Sequence, residues 1–429
     1  MKGIGLFILY IRQYFGFSLL KGSHDFGPEW TLDKILYLIT LIALSTYLII
    51  YIALICEHYF MESVLIMSDK LRLAADVAGG TLIAIGSSLP ELFASFVGLY
   101  VQKSDVGLSG CLGAAVFNVF VSFGTAALFV GKVSLLDWRV VLRDCFFFTC
   151  SICVVVWSLW DSQITRIEAT VLLGTYILYV LALMFSKKYF EFLEWFFLRG
   201  KRHSLKSLKT TPTLGQKAVP DLMDPAESDN HHNVPFYRPP RSLLKFFIWF
   251  ILFPIKFVQT CTMTPCHTPK TKKFYIITFA LSILHIGIVE YFVVEFIAEV
   301  GSLLGLSSEV TGLILLAPAS CAAEVVTSVI AMKKGMTNTV ISNVVGSNVF
   351  DLLLALGLPW FSWVVIYPRE DLFFENANLI LDGVILIAVV LILLVSIVLS
   401  RFRIRKVLGV VFLLFYAGYV VFDVMYLAE

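Results

Sequence analysis

Long apolar runs separated by short polar turns follow one another along most of the chain. A run of about 20 apolar residues is long enough to cross the hydrocarbon core of a bilayer as a helix. We predict ten transmembrane spans from these runs. Their ranges are 33–56 with an extension to about 66, 79–100, 106–130, 140–160, 166–185, 274–300, 309–332, 337–365, 377–399 and 408–426. The pattern predicts an all-α polytopic membrane protein.

Two stretches fall outside this pattern. Residues 1–32 contain a short, interrupted apolar run, which indicates a signal peptide or an extra anchor, with an interfacial helix as the alternative. Residues 187–272 are assigned to a loop, whose part from 187 to about 242 is rich in Lys, Arg, His, Ser and Pro and is predicted to be largely disordered. Within this loop, 246–257 is apolar but too short to span and is expected to be broken by Pro254, which places it at the membrane interface or in a re-entrant segment. The remaining residues form two transmembrane units, 33–186 and 273–429.

One stretch of the chain occurs twice, displaced by 233 residues without a gap, as from Glu91 to Glu324. The first copy is the motif 73–120 and the second is the motif 306–360. Further matched pairs are Leu73 with Leu306, Gly79 with Gly312, Ser87 with Ser320, Ser95 with Ser328, Gly113 with Gly346, and Asn118 with Asp351. Chance similarity between apolar helices readily matches Leu or Val, but not a carboxylate in mid-span. The chain therefore contains an internal repeat.

Basic residues gather in the loops that follow the odd-numbered spans. Cytoplasmic loops of membrane proteins carry an excess of Lys and Arg, so the long central loop is predicted to be cytoplasmic. The second span then runs outward and the seventh runs inward. The two five-helix repeats are inverted relative to each other.

The repeated motifs carry oxygen ligands into the membrane. A carboxylate in mid-span costs about 2.5–3.5 kcal/mol on insertion scales, so it needs a partner or a purpose. At helical spacing, Ser87, Ser88, Glu91 and Ser95 share one face, and Pro90 leaves a backbone carbonyl without its helical partner. Hard cations bind carboxylates, hydroxyls and carbonyls. Inverted repeats with broken polar helices are typical of secondary transporters whose binding site lies at the midplane.

The candidate ion site takes residues from both repeats. Its further members are Glu324, Asn118, Asp351, Ser347 and Asn348. Three carboxylates around one cavity, those of Glu91, Glu324 and Asp351, favour the binding of a divalent ion or of several monovalent ions. Structural alternatives are an ion pair for the two Glu residues, although no mid-span Lys or Arg is available, and an interhelical hydrogen bond for each Asn. For Asp351, the structural alternative is a buried carboxylic acid that stays protonated. For the serines, it is a hydrogen bond from the hydroxyl back to a carbonyl of the same helix. Glu290 and Glu295 are expected in an outer vestibule.

The motifs resemble those of the potassium-dependent sodium/calcium exchangers, a branch of the cation/calcium exchanger superfamily. The resemblance is carried by AADVAGGTLIAIGSSLPELFAS, SDVGLSGCLGAAVFNV and ISNVVGSNVFDLLLALGLPW. It implies exchange of sodium for calcium plus potassium by alternating access. Glu91 and Glu324 match the acids shared by calcium and sodium, and Asp351 matches the acid associated with potassium. The flanking ligands are matched by Ser87, Ser88, Ser95, Ser320, Ser328 and Asn118.

The chain departs from this family's pattern in its second repeat and at Ala114. Ala323 stands where the family has Pro before the acid, and Pro318 is expected to break the helix earlier. Cys321 replaces a hydroxyl ligand and is a poorer ligand for a hard ion. Ala114 stands in place of a Ser. These departures leave two alternatives open: an antiporter with another coupling ion (proton-coupled or potassium-independent), and a transport-impaired membrane scaffold.

Composition excludes other classes of protein. Of 429 residues, 59% are hydrophobic and 15% are charged, which is more apolar surface than a soluble domain can bury. A net charge of +2 gives no support to nucleic-acid binding, and no nucleophile–base arrangement or nucleotide loop indicates an enzyme. The expected partners are the lipid bilayer and the calcium, sodium and potassium ions that are transported, with no cofactor. A homodimer is left open, and the plasma membrane is favoured over an organelle membrane.

Overall fold

The computed structural model describes residues 32–71, 73, 75–131, 134–197, 243–266, 271–333, 335–368, 372–373 and 379–427. Within these ranges, eight helices are long and apolar enough to cross a membrane, and two bent helix pairs bring the number to ten. The predicted all-α polytopic architecture is therefore confirmed. The predictions for residues 1–31 and for the polar loop at 198–242 lie outside the described residues.

The ten spans follow the order predicted from the apolar runs. Span two is the bent pair Asp76–Ser87 and Leu89–Gln102, and span seven is the bent pair Ser308–Ser320 and Ala322–Lys333. The helix that contains span five continues to Phe197. The other spans, in order, are Leu32–Leu71, Val106–Leu128, Trp138–Ser158, Arg166–Phe185, Lys272–Leu304, Thr337–Ile366, Leu381–Leu399 and Lys406–Asp423.

The two bent spans break at equivalent positions of the repeat. Span two bends by 40° at Ser88, and span seven bends by 42° at Cys321, 233 residues later. Both residues leave the helical region of backbone space, with ψ of 11° at Ser88 and 4° at Cys321. The expectation that Pro318 breaks the helix is wrong, because Pro318 lies within the continuous helical stretch Ser308–Ser320 and the bend comes three residues later, at Cys321.

Two short β-ladders establish how the repeats are oriented. Strand β1 (Ser134–Leu135), after span three, pairs antiparallel with β4 (Arg403–Ile404), after span nine. Strand β2 (Gln163–Ile164), after span four, pairs with β3 (Leu372–Phe373), after span eight. Because one span separates β1 from β2, spans three and eight end on opposite sides of the membrane. These spans are equivalent in the repeat, so the predicted inversion is confirmed.

Glycines allow the spans of the two motifs to approach closely. A Cβ added to Gly113 of span three would lie 2.7 Å from the carbonyl oxygen of Leu313 in span seven. A Cβ added to Gly346 of span eight would lie 2.8 Å from the Cα of Gly80 in span two. Gly113 and Gly346 are repeat mates, as are Gly80 and Leu313. Small residues at these positions therefore bring two pairs of spans into backbone contact.

The apolar core has two main parts. The larger part is built mainly from spans three, four, five, eight, nine and ten. The second part joins spans one and six to the bent spans two and seven. The boundary between the two parts therefore passes close to the breaks in the bent spans.

The helix Leu243–Thr262 packs along span one. The hydroxyl of Tyr47 donates to the carbonyl of Ile251 over 3.2 Å, and the side-chain amide of Gln259 donates to the carbonyl of Tyr51 over 3.3 Å. The helix continues through Pro254, so the expected break there is wrong. Its apolar part is shorter than a transmembrane span, and its position at the membrane interface stays a prediction.

Candidate ion-binding site

The eleven predicted site residues all lie in the protein interior. None is more than 5% exposed. Spans two and seven supply residues at or near their breaks, and spans three and eight supply residues from their middle. The members are Ser87, Ser88, Glu91, Ser95, Asn118, Ser320, Glu324, Ser328, Ser347, Asn348 and Asp351.

The two central glutamates are each bonded to the break residue of the other repeat. Glu91 and Glu324 both lie three residues after a break, about one helical turn further on. The hydroxyl of Ser88 donates to Oε1 of Glu324 over 2.6 Å. The thiol of Cys321 donates to Oε1 of Glu91 over 3.3 Å. We call these two contacts the crossed hydrogen bonds; they join span two to span seven at the level of the breaks.

Several carboxylate oxygens in this site have no hydrogen-bond partner among the described residues. They are Oε2 of Glu91, Oε2 of Glu324, and both side-chain oxygens of Asp351. A buried polar atom without a partner costs about 1–3 kcal/mol, and more when it is charged. A cation bound between these oxygens would remove that cost.

One ligand atom from each of Glu91, Cys321 and Glu324 lies within 4.8 Å of the other two, a grouping that can hold a metal ion. Asp351 acts electrostatically on both glutamates from span eight. In the described ranges no basic side chain pairs with Glu91 or Glu324. The buried guanidinium of Arg143 instead contacts Asp76 and Asp144, over 3.0 and 2.7 Å. A structural ion pair for the glutamates therefore finds no support.

The asparagines bond across the interface of spans three and eight. The amide of Asn118 donates to Oδ1 of Asn348 over 3.1 Å, and the amide of Asn348 donates to the carbonyl of Ala115 over 3.2 Å. This is the interhelical bond that the sequence offered as an alternative to a ligand role. Asn118 and Asp351, which are repeat mates, each begin a π-helical turn. Such turns are frequent at functional sites.

The serines divide into two groups. Ser87 and Ser347 contact each other over 3.3 Å across spans two and eight, and Ser347 also lies beside the Glu324 carboxylate. Ser88 makes one of the crossed hydrogen bonds. The others bond away from the carboxylates: Ser95 to Cys111, Ser320 to the carbonyl of Ala317, and Ser328 to Asn343. Bonding back to a helix carbonyl, the structural alternative, applies to Ser320 and in part to Ser87.

Sequence reasoning misplaced one carboxylate. Glu290 in span six was expected in an outer vestibule, but it is fully buried, and neither of its carboxylate oxygens has a partner in the described part of the chain. It acts electrostatically on Glu91 and on Cys56 of span one. The repeat offset of 233 residues relates Glu290 to Glu57, but Glu57 is partly exposed, so the repeat gave no signal of this burial.

The fold and this site define a polytopic membrane protein of two inverted repeats, with a buried cluster of carboxylates between them that could hold a cation. A family model described as "Sodium/calcium exchanger protein" matches residues 14–185 and 274–425, which is more than half of the chain. The chain belongs to the sodium/calcium exchanger family.

Similar proteins extend over most of the chain. Human sodium/potassium/calcium exchanger 5 is 29% identical over 89% of this chain and 82% of its own length. Sodium/potassium/calcium exchanger 4 of Mus musculus is 25% identical over 89% of this chain and 80% of its own length. A solved structure of the sodium–calcium exchanger NCX_Mj, from a soak with Na⁺ and Sr²⁺, covers 90% of this chain and 98% of its own. Its TM-score is 0.53 and its sequence identity to this chain is 17%, which shows that the two proteins share a fold.

Proposed function

We propose that this protein is an antiporter that exchanges sodium for calcium, with Glu91 and Glu324 as ligands shared by both ions. The observation that carries the proposal is the pair of crossed hydrogen bonds, beside which the second oxygen of each buried glutamate has no partner among the described residues. Membership of the sodium/calcium exchanger family supports it, and so does the similarity to proteins named as sodium/potassium/calcium exchangers. The proposal needs no cofactor and no covalent step, which sets the protein apart from enzymes.

Coupling follows from the charge of the site. Carboxylates that face one another in a dry interior repel, so an empty site is costly in free energy. One calcium ion or several sodium ions relieve that repulsion, and the same ligands cannot hold both at once. A protein that changes access only with a neutralised site therefore carries sodium in one direction and calcium in the other.

Alternating access follows from the inverted repeats. If the two repeats take slightly different conformations, exchanging these conformations opens the site to the opposite side of the membrane. The breaks at Ser88 and Cys321 are equivalent positions and provide matched points of flexure. The transmembrane units 33–186 and 273–429, joined by a cytoplasmic loop, would be the exchanging parts.

Potassium is proposed to travel with calcium and to bind at Asp351. Both oxygens of this fully buried carboxylate lack partners among the residues described, and the residue acts on Glu91 and Glu324. A third negative charge lets the site accept one monovalent cation in addition to calcium. The plasma membrane is proposed as the location, and a homodimer remains an option that this mechanism does not require.

Calcium uptake into sodium-loaded proteoliposomes tests the proposal. Uptake that requires both the sodium gradient and external potassium is expected. Uptake that needs sodium but not potassium would keep the antiporter and remove the potassium site. No uptake under a sodium gradient, together with uptake under a proton gradient, would favour another coupling ion. Absence of uptake under every gradient would favour a scaffold that keeps the fold without transport.

A further inference from the structure

Cys321 gives the central site a sulfur ligand on one side only. The cysteine is fully buried at the break of span seven, and its thiol contacts Oε1 of Glu91 over 3.3 Å. Its repeat mate at the break of span two is Ser88, whose hydroxyl contacts Glu324. The two halves of the site therefore present the same geometry with different chemistry: oxygen in one half and sulfur in the other.

The neighbouring oxygens point to a metal ion. Oε2 of Glu91 and Oε2 of Glu324 are buried and have no partner in the described ranges. Candidate ligand atoms of Glu91, Cys321 and Glu324 all lie within 4.8 Å of one another. Zinc binds sulfur at about 2.3 Å and carboxylate oxygen at about 2.0–2.2 Å, so small side-chain rotations would place all three ligands on one ion.

This donor set discriminates between classes of cation. Calcium takes six to eight oxygen ligands, and a sulfur atom fills one of those places poorly. Zinc and cadmium accept fewer ligands and favour a thiolate. A serine at position 321 would give an all-oxygen site, whereas cysteine favours the softer ions over calcium.

We propose that the central site binds a thiophilic divalent cation of the zinc and cadmium class, with Cys321 as the ligand that gives the selectivity. The proposal rests on the antiporter function proposed above, because it uses the same two glutamates. On binding, the thiol S–H bond breaks, a sulfur–metal bond forms, and the proton leaves to solvent. The thiophilic ion and calcium compete for one site.

Cadmium is a suitable probe, because a cadmium–thiolate bond adds a charge-transfer band in the ultraviolet. Exposed Cys153 and Cys261 would also bind Cd²⁺, so both are replaced by serine in every preparation, including the one called wild type here. The purified full-length protein is titrated with Cd²⁺ and then with Ca²⁺, for this wild type and for Cys321→Ser. Cys145→Ser is the matched control, because Cys145 is equally buried but lies in span four within the larger core. Cys321→Ala is a second variant in case the serine variant does not fold.

The wild type and Cys145→Ser are expected to show the band and to bind Cd²⁺ alike. Cys321→Ser and Cys321→Ala are expected to lose the band and to bind Cd²⁺ about tenfold or more weakly, a change of about 1.4 kcal/mol. Cys321→Ser is also expected to bind calcium more tightly. A band that survives in Cys321→Ser, or is lost in Cys111→Ser instead, would overturn the assignment.

Sodium-driven calcium uptake, measured on the same preparations, separates this inference from the proposed function. A Cys321-dependent cadmium band without uptake in any preparation would support the inference and contradict the antiporter. Uptake by the wild type without a cadmium band would contradict the inference and leave the antiporter in place.

Discussion

Ser88 in span two donates a 2.6 Å hydrogen bond to Glu324 in span seven, on the other repeat. Cys321, the repeat mate of Ser88, makes the reciprocal contact to Glu91. Each helix break therefore holds the acid of the opposite repeat. A movement of one break would therefore shift the acid that follows the other break.

Replacing Ser88 is expected to weaken cation binding. Ser88→Ala removes the bond that orients the Glu324 carboxylate, and a hydrogen bond to a charged group contributes about 1.5–3 kcal/mol. We expect calcium affinity to fall by roughly tenfold or more. Equilibrium calcium binding to the purified protein measures the change. Ser158→Ala is the control, since this buried hydroxyl in span four bonds only to the carbonyl of Val154 in the described structure. Equal losses in the two variants would contradict the orienting role of Ser88.

Adding a methyl group at Gly113 is expected to separate spans three and seven. The new Cβ would lie 2.7 Å from the carbonyl oxygen of Leu313 and 2.9 Å from the Cβ of Ala317. Because the backbone cannot yield locally, overpacking is expected to cost about 1–3 kcal/mol. The thermal unfolding midpoint in detergent should fall for Gly113→Ala.

The control for this variant is Gly174→Ala in span five, where a Cβ meets no heavy atom within 4 Å in the described structure. Alanine is the better helix former by about 1 kcal/mol, so this variant should be neutral or more stable. If both variants unfold at the same temperature, the close approach of spans three and seven is not what Gly113 provides.

Glu290 is expected to strengthen cation binding by ionising when a cation enters the site, because a nearby positive charge favours the carboxylate. It is buried in span six, lacks a partner among the described residues, and acts on Glu91. Removing a negative charge close to the site lowers the attraction for cations. Glu290→Gln should therefore raise the sodium concentration for half-maximal exchange by roughly threefold to tenfold, or about 0.7–1.4 kcal/mol. Glu299→Gln, at an exposed position on the same helix, should leave it unchanged. A Glu290→Gln variant with wild-type sodium dependence would show that this charge does not reach the site.

Asp351→Asn is expected to abolish the effect of potassium and to spare the exchange of sodium for calcium. The amide keeps the volume of the side chain but removes one negative charge, so the site no longer needs an additional monovalent cation. Calcium uptake with and without external potassium, in wild type and variant, measures this. Potassium stimulation that persists in the variant would assign the potassium site elsewhere.

The sequence predicted the large features because they depend on patterns along one dimension. The apolar runs predicted the ten spans, and the repeat offset of 233 residues predicted that Glu91 and Glu324 occupy equivalent positions. The break of span seven was predicted wrongly at Pro318; it lies at Cys321, the position equivalent to the break at Ser88 in span two.

The burial of Glu290 and the direction of its side chain toward the interior were also not predicted. Its burial depends on how span six packs against spans one and two, and a run of apolar residues does not state which face is turned inward. The crossed hydrogen bonds were equally out of reach, because they join residues more than 200 positions apart. Contacts between spans of different repeats are the part of the site that required the structure.

Competition between calcium and sodium at equilibrium tests the central claim most directly. The purified protein is titrated with calcium at several sodium concentrations, alongside Glu91→Gln, Glu324→Gln and the partly exposed control Glu57→Gln. We predict that sodium moves the calcium isotherm to higher concentration without reducing the number of sites, in wild type and in Glu57→Gln. Glu91→Gln and Glu324→Gln should bind calcium at least tenfold more weakly while keeping the wild-type elution profile. A calcium affinity that does not change with sodium concentration would contradict a shared site at Glu91 and Glu324. Wild-type calcium affinity in both glutamine variants would contradict it as well.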